Sequence, residues 1–233
     1  MPTFVGYILP YIVLLVFILG MVYRIYVWRS LAAPKMTLFP APNSGAGRFI
    51  EVLQETFLFK SLFKGDKSLW TLGWLFHAML ALILVGHLRV FAWLPDRILQ
   101  SMGMSSGSID TMSLVSAGSA GIVILVALLI ILGRRFGLKR VREISTSGDY
   151  FALILLLAIV LTGNAMRFLS HFDLDQTREY FKGLLLFSAS GLPDNPWFLA
   201  HYFLAQILIM YIPFSKILHF GGIFFSEALI HKH

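Results

Sequence analysis

The sequence predicts an all-α integral membrane protein, a single five-helix domain over residues 1–233, and three observations carry that prediction. Hydrophobic residues make up 58% of the chain and charged residues only 13%, a balance soluble domains do not show. The apolar stretches are continuous and long enough to cross a bilayer as helices, unlike the alternating strands of about ten residues that build a membrane barrel. Aromatic residues reach 15%, and the five Trp lie mostly near the ends of the apolar runs, where amphipathic rings anchor at the interface.

Five spans follow in order. The first covers about 5–28, with Pro10 near its start and Arg24 close to its end. Without a basic n-region before it or a small-residue cleavage site after it, this run reads as a retained span, not a signal peptide. The second runs over about 69–93. The third, about 113–133, contains the small residues Ser116, Ala117, Gly118, Ser119, Ala120 and Gly121, which let helices approach closely in lipid. The fourth covers about 149–169 and the fifth about 197–219. About 20 residues at 1.5 Å each cross a hydrocarbon core of roughly 30 Å.

Two connections are more than turns. Pro34, Pro40, Pro42, Asn43 and Gly45 make the first half of 29–68 irregular. Its second half, 47–63, sets Phe49, Ile50, Leu53, Phe57 and Leu58 at helical spacing between polar residues. That pattern suits an amphipathic helix lying in the membrane interface or docking a cytoplasmic subunit. The segment 170–196 holds a short outer helix near 177–188.

The basic residues orient the spans. Eleven Lys and Arg lie in the 29–68 and 134–142 connections, against three in the other two (Arg97, Arg178 and Lys182). The positive-inside rule then places the N-terminus outside and the C-terminus in the cytoplasm of a cell whose inner membrane the chain spans. The net charge of +7 is thus topological and implies no nucleic acid. The chain has no cysteine, which excludes disulfides, thiolate-bound iron–sulfur clusters and haem attached through C-x-x-C-H. Redox cofactors of this chain would be non-covalent, and an iron–sulfur centre would belong to a partner.

Four histidines point to such cofactors. His77 and His87 lie in the second span, His201 and His219 in the fifth. Two imidazoles on one haem iron leave no open position, so the centre transfers electrons. The first pair is ten residues apart, roughly 15 Å at helical rise. The second is 18 apart, roughly 27 Å and five whole turns, which would put both on one face of a straight helix. Because the two spans run antiparallel, the expected pairs are His77 with His219 for an inner haem and His87 with His201 for an outer haem. The rises differ, and Pro213 offers a kink between the last two. A single His near a span end is more often interfacial or hydrogen-bonded than a ligand. Four in compatible depth order favour ligation. His171 falls in a polar loop, and His231 and His233 in the tail, so these are not expected to be ligands.

Other polar groups fit around this frame. Arg89 and Arg167, at the outer ends of spans two and four, are candidate partners for the outer haem's propionates or else snorkel to the interface. Arg24 and Lys216 are similarly placed on the inner side. Gly86 removes a side chain where a flat ring could approach. Thr162, Asn164 and Gln206 are hydrogen-bonding groups for which interhelical packing is the leading role.

At these residues the chain resembles the gamma-subunit family of respiratory nitrate reductase, membrane cytochromes b that hold two haems b. The matching pieces are F-H-x9-H over 76–87 with V-G-H at 85–87, A-G-S-A-G at 117–121, and R-R at 134–135 leading to R-V-R-E-I-S-T-S-G-D at 140–149. The last is H-x17-H from His201 to His219, ending in P-F-S-K-I-L-H. The resemblance implies that His77 and His219 hold the inner haem and His87 and His201 the outer one. It further implies quinol chemistry, on menaquinone or ubiquinone, beside Gly86 and His87, and a cytoplasmic iron–sulfur partner. The long 29–68 segment, with F-P-A-P at 39–42 and F-K-G-D-K-S-L-W at 63–70, is more similar to the relatives in sulfate-reducer transmembrane complexes and membrane-bound heterodisulfide reductases. In those, the partner resembles the iron–sulfur catalytic subunit of heterodisulfide reductase, and some carry a periplasmic multihaem cytochrome c.

The expected function is therefore electron transfer between the quinone pool and a cytoplasmic partner, with no catalytic residue of the chain's own beyond the quinone site. A nitrate reductase gamma subunit proper is the nearest alternative. A metal transporter is opposed by the lack of Asp and Glu in the middles of the spans. A haem-free anchor would purify colourless.

Overall fold

The computed structural model describes residues 2–30, 45–170 and 172–219. The expectations for Pro34, Pro40, Pro42, Asn43, the 39–42 motif, His171, His231 and His233 fall outside the described residues. All regular structure among the described residues is helical.

The chain opens with a π-helical turn, Phe4–Ile8, that runs into α1 (Leu9–Ser30). Then come α2 (Gly45–Leu58), α3 (Lys60–Gly65), α4 (Lys67–Phe91), α5 (Leu94–Ser101), α6 (Ser106–Gly137), α7 (Lys139–Glu143), α8 (Ser147–Phe168), α9 (Leu174–Leu185) and α10 (Pro196–Tyr211). Two 3-10 turns, Ile212–Phe214 and Lys216–Leu218, follow. Five helical segments of 19 to 32 residues are apolar and long enough to cross a membrane. Large apolar side chains such as Leu19, Leu84, Val85 and Ile122 stand exposed along them, as expected where lipid takes the place of a protein core.

The edges differ from expectation for local reasons. Span two stops at Phe91 because Pro95 starts a new short helix, α5, which the sequence reading did not foresee. Span three begins at Ser106, where the Ser105 hydroxyl accepts from the Ser108 N–H. Span four is set by a capping box between Thr146 and Asp149. The amphipathic helix expected over 47–63 is two helices, broken at Phe59, whose φ of 49° is left-handed. The short helix expected near 177–188 starts at Leu174, with Asp173 accepting from the Gln176 N–H.

Span five departs most. Its α-helix ends at Tyr211, and Ser215 is extended (φ −119°, ψ 168°). His201 and His219 therefore do not sit on one continuous helix, and the shared face expected from five whole turns is not formed. Pro213 has no N–H to give the Ile209 carbonyl and sterically opposes continuation.

The chain divides into two compact units. In the first, residues 1–12 with 75–208, α6 packs on α8 through the small-residue run. Gly118, Ala120 and Gly121 are buried there, and Asn164 Nδ2 donates to the Gly121 carbonyl at 3.2 Å. Gln206, also buried, donates to Val5 O at 3.1 Å, so both amides do interhelical work. Tyr180, Leu184 and Phe198 form an apolar cluster where α9 meets α10, with Tyr7, Tyr11 and Tyr202 around them. The Tyr180 hydroxyl donates to Gly6 O, and burial pushes its pKa up.

In the second unit, residues 13–74 with the chain from 209 onward, the indoles of Trp70 and Trp74 donate to Leu58 O (2.6 Å) and Phe57 O (3.1 Å). These bonds satisfy the carbonyls left free at the end of α2. Phe49, Ile50, Leu53 and Phe57 stand exposed along that helix. Arg24 Nε donates to Pro213 O at 2.6 Å, holding the break in span five. A Cβ on Gly20 would lie 2.7 Å from Pro213 Cβ, a ring that cannot turn away. Gly20→Val should thus cost about 1–3 kcal/mol by overpacking, read as a lower unfolding temperature in detergent.

Candidate functional site: an opposed histidine pair

The first unit brings two of the four histidines together. His87, near the end of α4, and His201, near the start of α10, have ring centres 6.2 Å apart and planes within 22° of parallel. Each Nδ1 is occupied by a backbone carbonyl: His87 meets Ile83 O at 2.7 Å and His201 meets Ile159 O at 2.9 Å. A carbonyl only accepts, so both Nδ1 atoms carry the proton and both Nε2 lone pairs are left for another partner. This is the outer-shell pattern that orients metal-binding histidines.

The donor set suits iron in a macrocycle. Two imidazoles on opposite sides of one metal, at roughly 2 Å per bond, have ring centres about 6 Å apart. Among the described residues, no three His, Asp or Glu side chains converge as a cage for a bare metal ion. A porphyrin supplies four equatorial nitrogens and needs only two axial ligands.

The surroundings come from a helix without histidine. A Cβ on Gly163 of α8 would stand 3.1 Å from His201 Cε1, and Thr162 Oγ1 lies 3.4 Å from its Nδ1. The space beside Gly86 is open: apart from its own helical turn, none of the described residues comes within 4 Å of a Cβ placed there.

The arginines behave differently from each other. Arg89 is committed to carboxylates of this chain: Nε donates to Asp96 at 2.5 Å and Nη2 to Asp110 at 2.8 Å. Arg178, buried on α9, donates from Nη2 to the same Asp96 at 2.5 Å, from Nη1 to Asp175 at 3.0 Å and from Nε to Arg89 O at 2.6 Å. Arg178 and Asp96 carried no signal in the sequence, because nothing local links residues 82 apart. Arg167 on α8 instead donates to Ser113 O at 3.3 Å.

Burial would raise the Asp96 carboxyl, but hydrogen bonds from Arg89 and Arg178 outweigh it and hold the group below its ordinary value of 3.8. Its contribution to stability is therefore complete above that value and is lost as pH falls through the lowered one. Acid unfolding followed from pH 5 downward should show this loss, and Asp96→Asn should flatten it.

His77 lies on α4 with its ring edge-on to Phe76 (5.1 Å). His219 follows the second 3-10 turn, with Nδ1 on Lys216 O at 3.1 Å, and belongs to the second unit. Of the four expected ligands, His87 and His201 come together within the first unit.

Five apolar helical spans define a multi-pass membrane protein. The chain belongs to the nitrate reductase gamma subunit family, whose model matches residues 59–228. It is 33% identical to the "Hdr-like menaquinol oxidoreductase cytochrome b-like subunit" of Archaeoglobus fulgidus, over 96% of this chain and 78% of that one. The protein of the same name from Archaeoglobus profundus is 29% identical over 97% and 78%. The nitrate reductase gamma chain of Bacillus subtilis is 29% identical over 91% and 87%.

Proposed function

We propose that the chain is the di-haem b membrane subunit of a respiratory complex in the cytoplasmic membrane, its N-terminus outside and its C-terminus inside. It carries electrons between quinone near an outer haem and a cytoplasmic iron–sulfur subunit near an inner one. The carrying observation is the opposed His87–His201 pair, both Nδ1 atoms bonded to carbonyls, in a chain of this family. Haem would supply the reversible one-electron iron couple. His87 and His201 hold the outer group; His77 and His219 hold the inner one. Arg167, which meets a carbonyl and no carboxylate among the described residues, is the favoured propionate partner, whereas Arg89 is already engaged by Asp96 and Asp110.

The open space at Gly86, beside His87, is where a quinone ring is read to approach. Menaquinol is favoured over ubiquinol because two relatives carry it in their names. The same names favour an Hdr-like complex over nitrate reduction, so the partner is read as an iron–sulfur subunit like the catalytic subunit of heterodisulfide reductase, and a periplasmic multihaem cytochrome c fits the outer side.

The test is a dithionite-reduced minus oxidised spectrum with pyridine haemochrome quantitation on the complex purified with its partners, followed by reduction with a menaquinol analogue. Two low-spin haems b per chain, reduced by the quinol, are expected. A colourless protein made under haem-replete conditions overturns the reading.

A further inference from the structure

We propose that α8, through Gly163 and the Ile159 carbonyl, is the positioning element for His201, so that a span without a histidine tunes the outer haem. This rests on the di-haem reading above.

The two rings of the facing pair are held in different ways. His87 meets Ile83 O, four residues back on its own helix, so α4 alone fixes its orientation. His201 meets Ile159 O, 42 residues away on α8. Its own helix therefore does not set the ring; the surface of α8 does. Ile159 O is also the carbonyl that faces the Gly163 N–H one helical turn on, and the Thr162 hydroxyl shares it at 3.0 Å. The ring thus lies against a single turn of α8, 159 to 163.

Gly163 makes that contact possible. A methyl there would come within 3.1 Å of Cε1 and 3.2 Å of Nδ1, closer than side chains ordinarily pack. The ring cannot yield without altering the bond from Nδ1 to Ile159 O, because the same turn supplies both the clash and the acceptor. Donation from Nδ1–H makes Nε2 a stronger donor to iron and favours the oxidised state. Weakening that bond raises the reduction potential of the outer haem and leaves the inner one unchanged.

The experiment uses the complex with both haems bound. A His201→Met variant first identifies which potential and which low-spin EPR signal belong to the outer haem; if that variant keeps both haems unaltered, the di-haem reading itself falls. In Gly163→Ala, two haems should remain while the outer potential rises and its EPR signal shifts. Thr162→Val, which removes the 3.4 Å contact and the hydroxyl's own bonds to Ala158 O and Ile159 O but leaves the Ile159 carbonyl to His201 Nδ1, should change both much less. A second measurement needs no substitution: electron–nuclear double resonance on the unaltered oxidised complex should find a histidine N–H proton at the outer haem that resists exchange in D2O. Outer-haem signals in Gly163→Ala identical to the unaltered protein, equal shifts at both haems, or a freely exchanging proton overturn the proposal.

Discussion

Replacing His87 or His201 by alanine should lower the haem content from two per chain to one, with the same haem lost in both variants. The reasoning is geometric. The ring centres lie 6.2 Å apart with planes within 22° of parallel, and each Nδ1 is held by a carbonyl, so neither ring can swing to a substitute partner without breaking that bond. On the di-haem reading these two imidazoles would hold one haem between them, so a variant lacking either would bind that haem too weakly to keep it through purification. His77→Ala and His219→Ala should remove the other haem and spare the first. Pyridine haemochrome content and low-spin EPR on all four variants check this. If every variant loses both haems while remaining folded by size-exclusion and circular dichroism, the pairing is wrong.

The second large effect is expected outside the spans. Asp96→Ala should cost about 3–5 kcal/mol of stability, because it removes the low-exposure carboxylate that Arg178, 5% exposed, and Arg89, 11% exposed, share, and leaves Arg178 with the exposed Asp175 and Arg89 with the exposed Asp110 as carboxylate partners. Asp110 also pairs with Arg89, but its carboxylate is 68% exposed. Asp110→Ala should therefore cost no more than about 1 kcal/mol. Thermal unfolding of the two variants in the same detergent separates them, and equal midpoints would refute this account. The asymmetry follows from desolvation: water can replace an exposed partner, and nothing replaces a buried one.

Much of the architecture was legible because membrane spans announce themselves by composition. An unbroken apolar run needs no knowledge of its neighbours to be read as a helix in lipid. The small-residue run at 116–121 was also readable, since close helix approach tolerates few residue types. Amphipathic α5 was missed because eight residues beside a proline carry too little period to register. The approach of His87 to His201 was readable from their depth order, yet the course of span five was not. Pro213 marked a kink, but only the backbone shows that helix gives way to 3-10 turns and an extended Ser215. The partners of Arg89 and the cradle of His201 were invisible for one reason. Asp96 with Arg178, and Ile159 with His201, are joined by folding across tens of residues and not by any local pattern.

The interrupted end of span five also bears on the membrane around it. Its 16 α-helical residues rise about 24 Å, and the 3-10 turn of three residues adds about 6 Å. The sum only just matches a hydrocarbon layer of roughly 30 Å, whereas the 32 residues of α6 rise about 48 Å and have length to spare for tilt. A thick bilayer is therefore felt first by the helix that carries His201. Lipid chain length becomes a variable of this protein's chemistry, acting through mismatch on the one span with no slack to absorb it.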